Sequence, residues 1–184
     1  MTTPAEPAGT EPVEVVVTYL EMAHRPEGPA PPLPSGAPVS LMRAVRPPVR
    51  YFLYLYDLVG EAYHWTDRHA DDRAALQEVL DDDDVSLFSM IWDGWPAGLV
   101  LLDWREEGVC DLSYFGIAER LHERRLGRWL LGAATRMGWE REGVRRMTVN
   151  TCSLDHPRAL PMYQRAGFEP VRRVETLREI PRRD

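Results

Sequence analysis

Three arginines, Arg124, Arg125 and Arg128, cluster where the sequence changes from strand-like to helix-like. A guanidinium offers a rigid fork of donors that matches phosphate oxygens. The first turn of a helix adds unpaired amides and the positive end of the helix dipole. An arginine cluster elsewhere would read as a solvated face; at a strand-to-helix junction it points to phosphate binding. A second candidate is Tyr163, on one face of a later helical stretch. A lone tyrosine of this kind either packs in the core or carries a proton.

These residues need a scaffold, and the segment 109–168 supplies it. Val109–Gly116 is a short run of β-formers and aromatics. From Leu126 the period changes: Leu126, Leu130, Ala133 and Met137 share one helix face, beside a stripe of mostly small residues at Gly127, Leu131, Ala134 and Gly138 that lets the helix lie close to a sheet. Gly143 is a plausible stop. Met147–Thr151 is the next strand. Asp155 or His156 is a cap for a helix to Ala166, with Pro157 in its first turn and Gly167 at its end.

The segment resembles the GNAT superfamily, the acetyl-CoA-dependent N-acetyltransferases. Where that family has Gln/Arg-x-x-Gly-x-Gly/Ala, this chain has His122-Glu123-Arg124-Arg125-Leu126-Gly127. Where the family has Asn-x-x-Ala-x-x-x-Tyr-x-x-x-Gly-Phe, the chain runs from His156 through Ala159 and Tyr163 to Gly167-Phe168. The second motif is kept except at its first position. The first keeps only its last glycine. Arg125 replaces a glycine that lets the backbone approach a pyrophosphate, and a side chain there does not adopt φ > 0 cheaply.

The resemblance implies an α/β fold: a mixed, mostly antiparallel sheet with helices on both faces and splayed central strands. It also implies a transfer of acetyl from acetyl-CoA to the primary amine of a small molecule, directly and without an enzyme nucleophile. The backbone of Phe115, Gly116 and Ile117 would pair with the pantetheine arm. His122, Arg124, Arg125, Leu126, Gly127, Arg128 and His156 would lie along the cofactor. Tyr163 corresponds to the tyrosine that protonates the leaving thiolate. Asp111, on the strand before the loop, is the candidate base, with Asp103 or a water relay as alternatives. Tyr56, Tyr63 and Trp65 are candidates for the amine pocket, an aromatic wall suited to a cation or an apolar group. A homodimer is expected by the same resemblance. Two other functions fit the same motifs: acetylation of a peptide or protein, with a more open and acidic groove, or a non-catalytic acyl-CoA sensor.

Composition narrows the classes. The chain has 184 residues, enough for one core, and its net charge of −7 argues against nucleic acid as a partner. That charge agrees weakly with a cationic substrate. All 22 basic residues are arginine. Cys110 and Cys152 are expected to be buried, reduced thiols of a cytoplasmic protein. No metal is expected, because the five histidines show no ligand spacing with the cysteines. No run of about 18 apolar residues exists for a membrane span.

Elsewhere, residues 1–11 read as a disordered tail before a single domain over 12–184. Val13–Met22 and Val39–Val45 read as strands of one long hairpin around a proline-dense exposed loop, His24–Pro38. An aromatic helix follows Pro47-Pro48 and runs to Trp65. Asp71–Leu80 is a short helix, with Asp81–Asp84 a mobile, solvated turn. Val85–Trp92 and Pro96–Arg105 form a hairpin across Asp93-Gly94 and continue into the strand from Val109. Phe168–Leu177 is a last strand, and the basic stretch Arg172–Arg183 is read as solvated.

Overall fold

The computed structural model describes residues 9–181. The strands are β1 (Thr10–Met22), β2 (Val39–Ala44), β3 (Val85–Trp92), β4 (Trp95–Asp103), β5 (Val109–Ile117), β6 (Arg146–Cys152) and β7 (Glu169–Pro181). The helices are α1 (Val49–Gly60), α2 (Arg73–Asp81), α3 (Leu126–Glu140) and α4 (Ala159–Arg165). All seven strands form one sheet in the order β2-β3-β4-β5-β6-β1-β7. Among the described residues only β5 and β6 pair in parallel, and α3 makes the crossover that a parallel pair requires.

The period of two along β4 divides the core. Leu99 and Leu101 face α1 and α2, while Val100 and Leu102 face the α3 side. On α3 the buried set centres on Leu126, Leu130, Leu131 and Ala134, each at most 1% exposed. Each such leucine contributes about 1.5–3 kcal/mol of transfer free energy. Gly138 lets α3 approach the sheet, since a Cβ there would strike Met147 and the Cys110 thiol. Asp93 and Gly94 both have φ > 0, the geometry of a tight two-residue hairpin.

The decisive feature is where β5 and β6 stop pairing. Their register covers only Val109↔Arg146, Cys110↔Met147 and Asp111↔Thr148. Beyond Asp111 the strands separate, and the edge of β5 from Ser113 to Ile117 that faces β6 has no strand partner. A bulge helps to turn it away: Leu101 pairs with Tyr114 and Leu102 with Leu112, leaving Ser113 as the extra residue.

Several sequence expectations are corrected. β1 and β2 do not form a hairpin; β1 lies between β6 and β7, whereas β2 pairs with β3. The proline loop between them crosses the molecule instead, with Pro31 against Gly132 of α3 and the Arg136 guanidinium donating to the Gly28 carbonyl. Thr10 and Glu11 belong to β1, paired with Pro181 and Ile180, so the expected tail does not include them; residues 1–8 lie outside the described residues. The aromatic helix ends at Gly60 and continues as a 3-10 turn, with His64 left-handed. The acidic turn is solvated at Asp81 and Asp83, as expected, and it also carries two surface ion pairs, Asp83 with Arg46 and Asp84 with Arg141. β7 reaches Pro181, so much of the basic stretch is strand; Arg182 and Arg183 lie outside the described residues. No described helix is long and apolar enough to cross a membrane.

Candidate active site

The gap between β5 and β6 opens a cavity of ≈ 180 Å³ on the α3 and α4 side. Phe115, Gly116 and Ile117 line it from β5, and Tyr163 lines it from α4. Val59 of α1 rests on Gly116, where any Cβ would collide with it. Tyr163 is 5% exposed and held edge-on between Phe115 and Phe168, at 6.1 and 6.0 Å between ring centroids. Its hydroxyl has no hydrogen-bond partner among the described residues, and no fully buried side-chain polar atom there is left unpaired. The hydroxyl therefore opens on the cavity. Burial, with Asp155 nearby, pushes its pKa well above the ordinary 10.0, so the phenol keeps its proton.

At one end of the cavity stands the first turn of α3. No side chain caps it, which leaves the amides of Leu126, Gly127 and Arg128 without helical partners. Arg125 immediately precedes them with φ 58 and ψ 16, left-handed. The backbone thus takes the conformation that glycine favours, although an arginine stands there. Arg125 and Arg128 line the cavity, joined by Arg158. The same three arginines, with Arg136 and Arg165, border an adjoining cavity of ≈ 700 Å³ under the proline loop. Anionic oxygens fit this set of unpaired amides and guanidinium groups. Arg124 is not part of it: it lies over the Trp92 ring at 5.8 Å. Leu126 is fully buried and lines neither cavity. Arg125→Gly should relieve the left-handed strain and raise stability by up to about 1 kcal/mol. The same change should weaken binding of a phosphate-bearing ligand at this helix terminus several-fold through loss of one guanidinium. A thermal melt and a titration check the two effects separately.

His122 and His156 replace the polar residues of the two motifs and meet here, with ring centroids 4.8 Å apart. Tyr63 stacks on His122 at 6.4 Å. His122 Nε2 donates to the Ile117 carbonyl, and His156 Nδ1 accepts from the Arg158 amide. Burial, then His122 and Arg158, hold the His156 pKa below its ordinary 6.5. The neutral ring is thus favoured in the folded state. This contribution to stability is present above pH 6.5 and is lost as pH falls through the depressed value. His156→Gln should flatten the stability profile over that window, which melts across pH measure.

A second cavity, of ≈ 250 Å³, lies on the α1 side of the same gap and shares Trp65, Phe115 and Tyr163 with the first. Tyr56, Trp65 and Tyr114 form its wall, with mutual centroid distances of 5.4, 5.6 and 5.9 Å. Burial pushes the Tyr56 phenol up to about 12. Tyr63 is turned to the first cavity, so the three aromatic candidates are divided between the two.

Asp111 is corrected as a base candidate. It lies at the closed end of the strand pair, about 13 Å of strand from Phe115. Its carboxylate accepts from the Ser113 and Thr148 hydroxyls, both at 2.6 Å, and it borders a separate cavity with Asp103. Asp103 is itself clamped by Arg105. The carboxylate that does border the cleft is Asp155. It accepts from the Trp65 indole at 3.1 Å, the Thr151 hydroxyl at 2.7 Å and the Cys152 amide at 2.8 Å. Committed to these partners, it caps no helix, and α4 starts only at Ala159. Its position after a strand and before the Pro-Arg-Ala run was visible; its partner at Trp65 was not. Both cysteines are free thiols.

A sequence model of the Acetyltransferase (GNAT) family matches residues 52–168. The chain belongs to the GNAT acetyltransferase family. The match runs from within α1 to Phe168 and contains the whole lining of the first cavity, while Val17, Tyr19 and Arg178 of the second lie outside it. Among solved structures, this GNAT chain is similar to a GCN5-related N-acetyltransferase from Sphaerobacter thermophilus, with TM-score 0.59 and 19% identity over 95% of this chain and 54% of that one. A tandem GNAT protein from the clavulanic acid biosynthesis pathway gives TM-score 0.64 and 17% identity over 96% and 57%. An aminoglycoside acetyltransferase from an uncultured soil metagenomic sample, solved with sisomicin, gives 0.56 and 15% over 70% and 87%. At these identities the likeness is one of fold. The chain spans just over half the length of the first two. No curated protein matches it in sequence.

Proposed function

We propose that this GNAT chain is an N-acetyltransferase that moves acetyl from acetyl-CoA to the primary amine of a small molecule. One observation carries this: Tyr163 lines both cavities at the gap between β5 and β6, with an arginine-bordered helix terminus on one side and an aromatic wall on the other. The fold likeness to an aminoglycoside acetyltransferase agrees with a small-molecule amine.

Acetyl-CoA supplies the thioester. The neutral amine nitrogen bonds to its carbonyl carbon, the carbon–sulfur bond breaks, one amine proton passes to water, the sulfur takes a proton from Tyr163 and leaves as a thiol, and water returns a proton to the Tyr163 oxygen. Within this chain, Arg125, Arg128 and Arg158 hold phosphate oxygens with the α3 amides. The unpaired edge of β5 aligns the pantetheine arm. Tyr163 donates its proton, or a strong hydrogen bond, where sulfur gains charge. Release of thiol from acetyl-CoA that depends on added amine, with a panel of small primary amines, tests the proposal. Release that never exceeds the amine-free rate would reject it.

A further inference from the structure

We propose that the acceptor is an amine that also carries a carboxylate, an amino acid, with the carboxylate held by Arg68 and Arg178 and an apolar side chain on the aromatic wall. This rests on the acetyltransferase reading above and specifies its acceptor.

The charges in the acceptor cavity carry the inference. Its lining includes two arginines, Arg68 and Arg178, and one acid, Asp67. Asp67 is already committed, accepting from Arg178 Nη2 at 2.7 Å. A polycationic acceptor would need unengaged carboxylates and would instead meet two guanidinium groups. An anionic group meets spare donors. Arg68 uses Nε on the Tyr114 hydroxyl at 2.5 Å and Nη1 on Asp71 at 2.6 Å. Each guanidinium has five N–H donors, so both arginines keep unpaired ones among the described residues. Their side chains are 41% and 34% exposed, within reach of a ligand. Arg172 lies over the ring of Tyr19, another lining residue, at 4.2 Å. A carboxylate is the planar partner that such forks accept in pairs.

The remaining surface fits the rest of an amino acid. Tyr56, Trp65 and Tyr114 offer ring faces and edges to an apolar side chain. The amine end would lie toward Tyr163 and Phe115, which the cavity shares with the cofactor side. The bonds made and broken are those of the amine transfer already described. β7 is essential to this site, since Arg178, from the basic stretch that the sequence suggested was only solvated, reaches across to Asp67.

The test uses the full chain with acetyl-CoA and reads thiol release. The panel holds the free amino acids, ω-amino acids, the methyl ester of each, spermidine and an aminoglycoside. A free α- or ω-amino acid should exceed its own ester in kcat/KM by about tenfold or more, the worth of one charged hydrogen-bonded pair. Esters or polyamines that serve equally well or better would overturn the carboxylate assignment and leave the acetyltransferase standing. Acetyl-CoA binding without turnover of any carboxylate-bearing amine would also overturn it. Failure to bind acetyl-CoA would instead reject the acetyltransferase itself. Arg178→Ala should raise KM for the amino acid about tenfold or more with KM for acetyl-CoA unchanged, and Arg178→Lys should recover part of the loss. The ester comparison on the unaltered chain decides the matter even if the variants fold poorly.

Discussion

Tyr163→Phe is expected to lower kcat by at least about 100-fold, the usual size of a general-acid contribution, while the Kd for acetyl-CoA stays within about twofold. The phenol ring is wedged between Phe115 and Phe168, and phenylalanine fills the same space. Its hydroxyl has no hydrogen-bond partner to lose among the described residues. What disappears is a proton donor that burial keeps protonated across the working range. Steady-state kinetics beside calorimetric titration separate the two quantities. An unchanged kcat would remove Tyr163 from the chemistry and leave it as packing.

Asp155→Ala has the second large expected effect, and it falls on stability first. Three donors converge on this carboxylate: the Trp65 indole, the Thr151 hydroxyl and the Cys152 amide. Hydrogen bonds to a charged group are worth about 1.5–3 kcal/mol each, but one side chain's removal relaxes part of that. A net loss of about 3 kcal/mol follows, which lowers Tm by roughly 6–12 °C in a domain of this size. Because Trp65 borders both cavities, activity of the folded variant should fall as well. Asp155→Asn keeps an acceptor for the indole and should sit between the two. A melt of Asp155→Ala indistinguishable from that of the parent would show that the carboxylate holds nothing.

Local chemistry was legible in the sequence, and partners across the fold were not. The Tyr163 to Gly167-Phe168 spacing marked the helix and strand around the cleft, and Asp93-Gly94 marked its hairpin, because each is written within a few residues. β1 was recognisable as a strand from its valines, yet its neighbours are β6 and β7, more than a hundred residues away. Strict alternation left Asp111 free to face either way; the Ser113 bulge and the end of the β5–β6 pairing decide its surroundings. Asp155, like His156, read as a candidate helix cap because that is the local habit of aspartate just ahead of a helix. Its indole partner is 90 positions earlier. Arg178 read as solvated for the same reason, and its role depends on Asp67, 111 positions earlier. At Arg125 the sequence posed the right question, whether the loop needs φ > 0, and the backbone does adopt it there.

The most direct measurement is calorimetric titration of the purified chain with acetyl-CoA and with free CoA. Micromolar binding of both is predicted, since the α3 amides and Arg125, Arg128 and Arg158 would grip the part that the two ligands share. Absence of binding by either at millimolar concentration would contradict the account and leave a GNAT fold whose cleft serves another ligand.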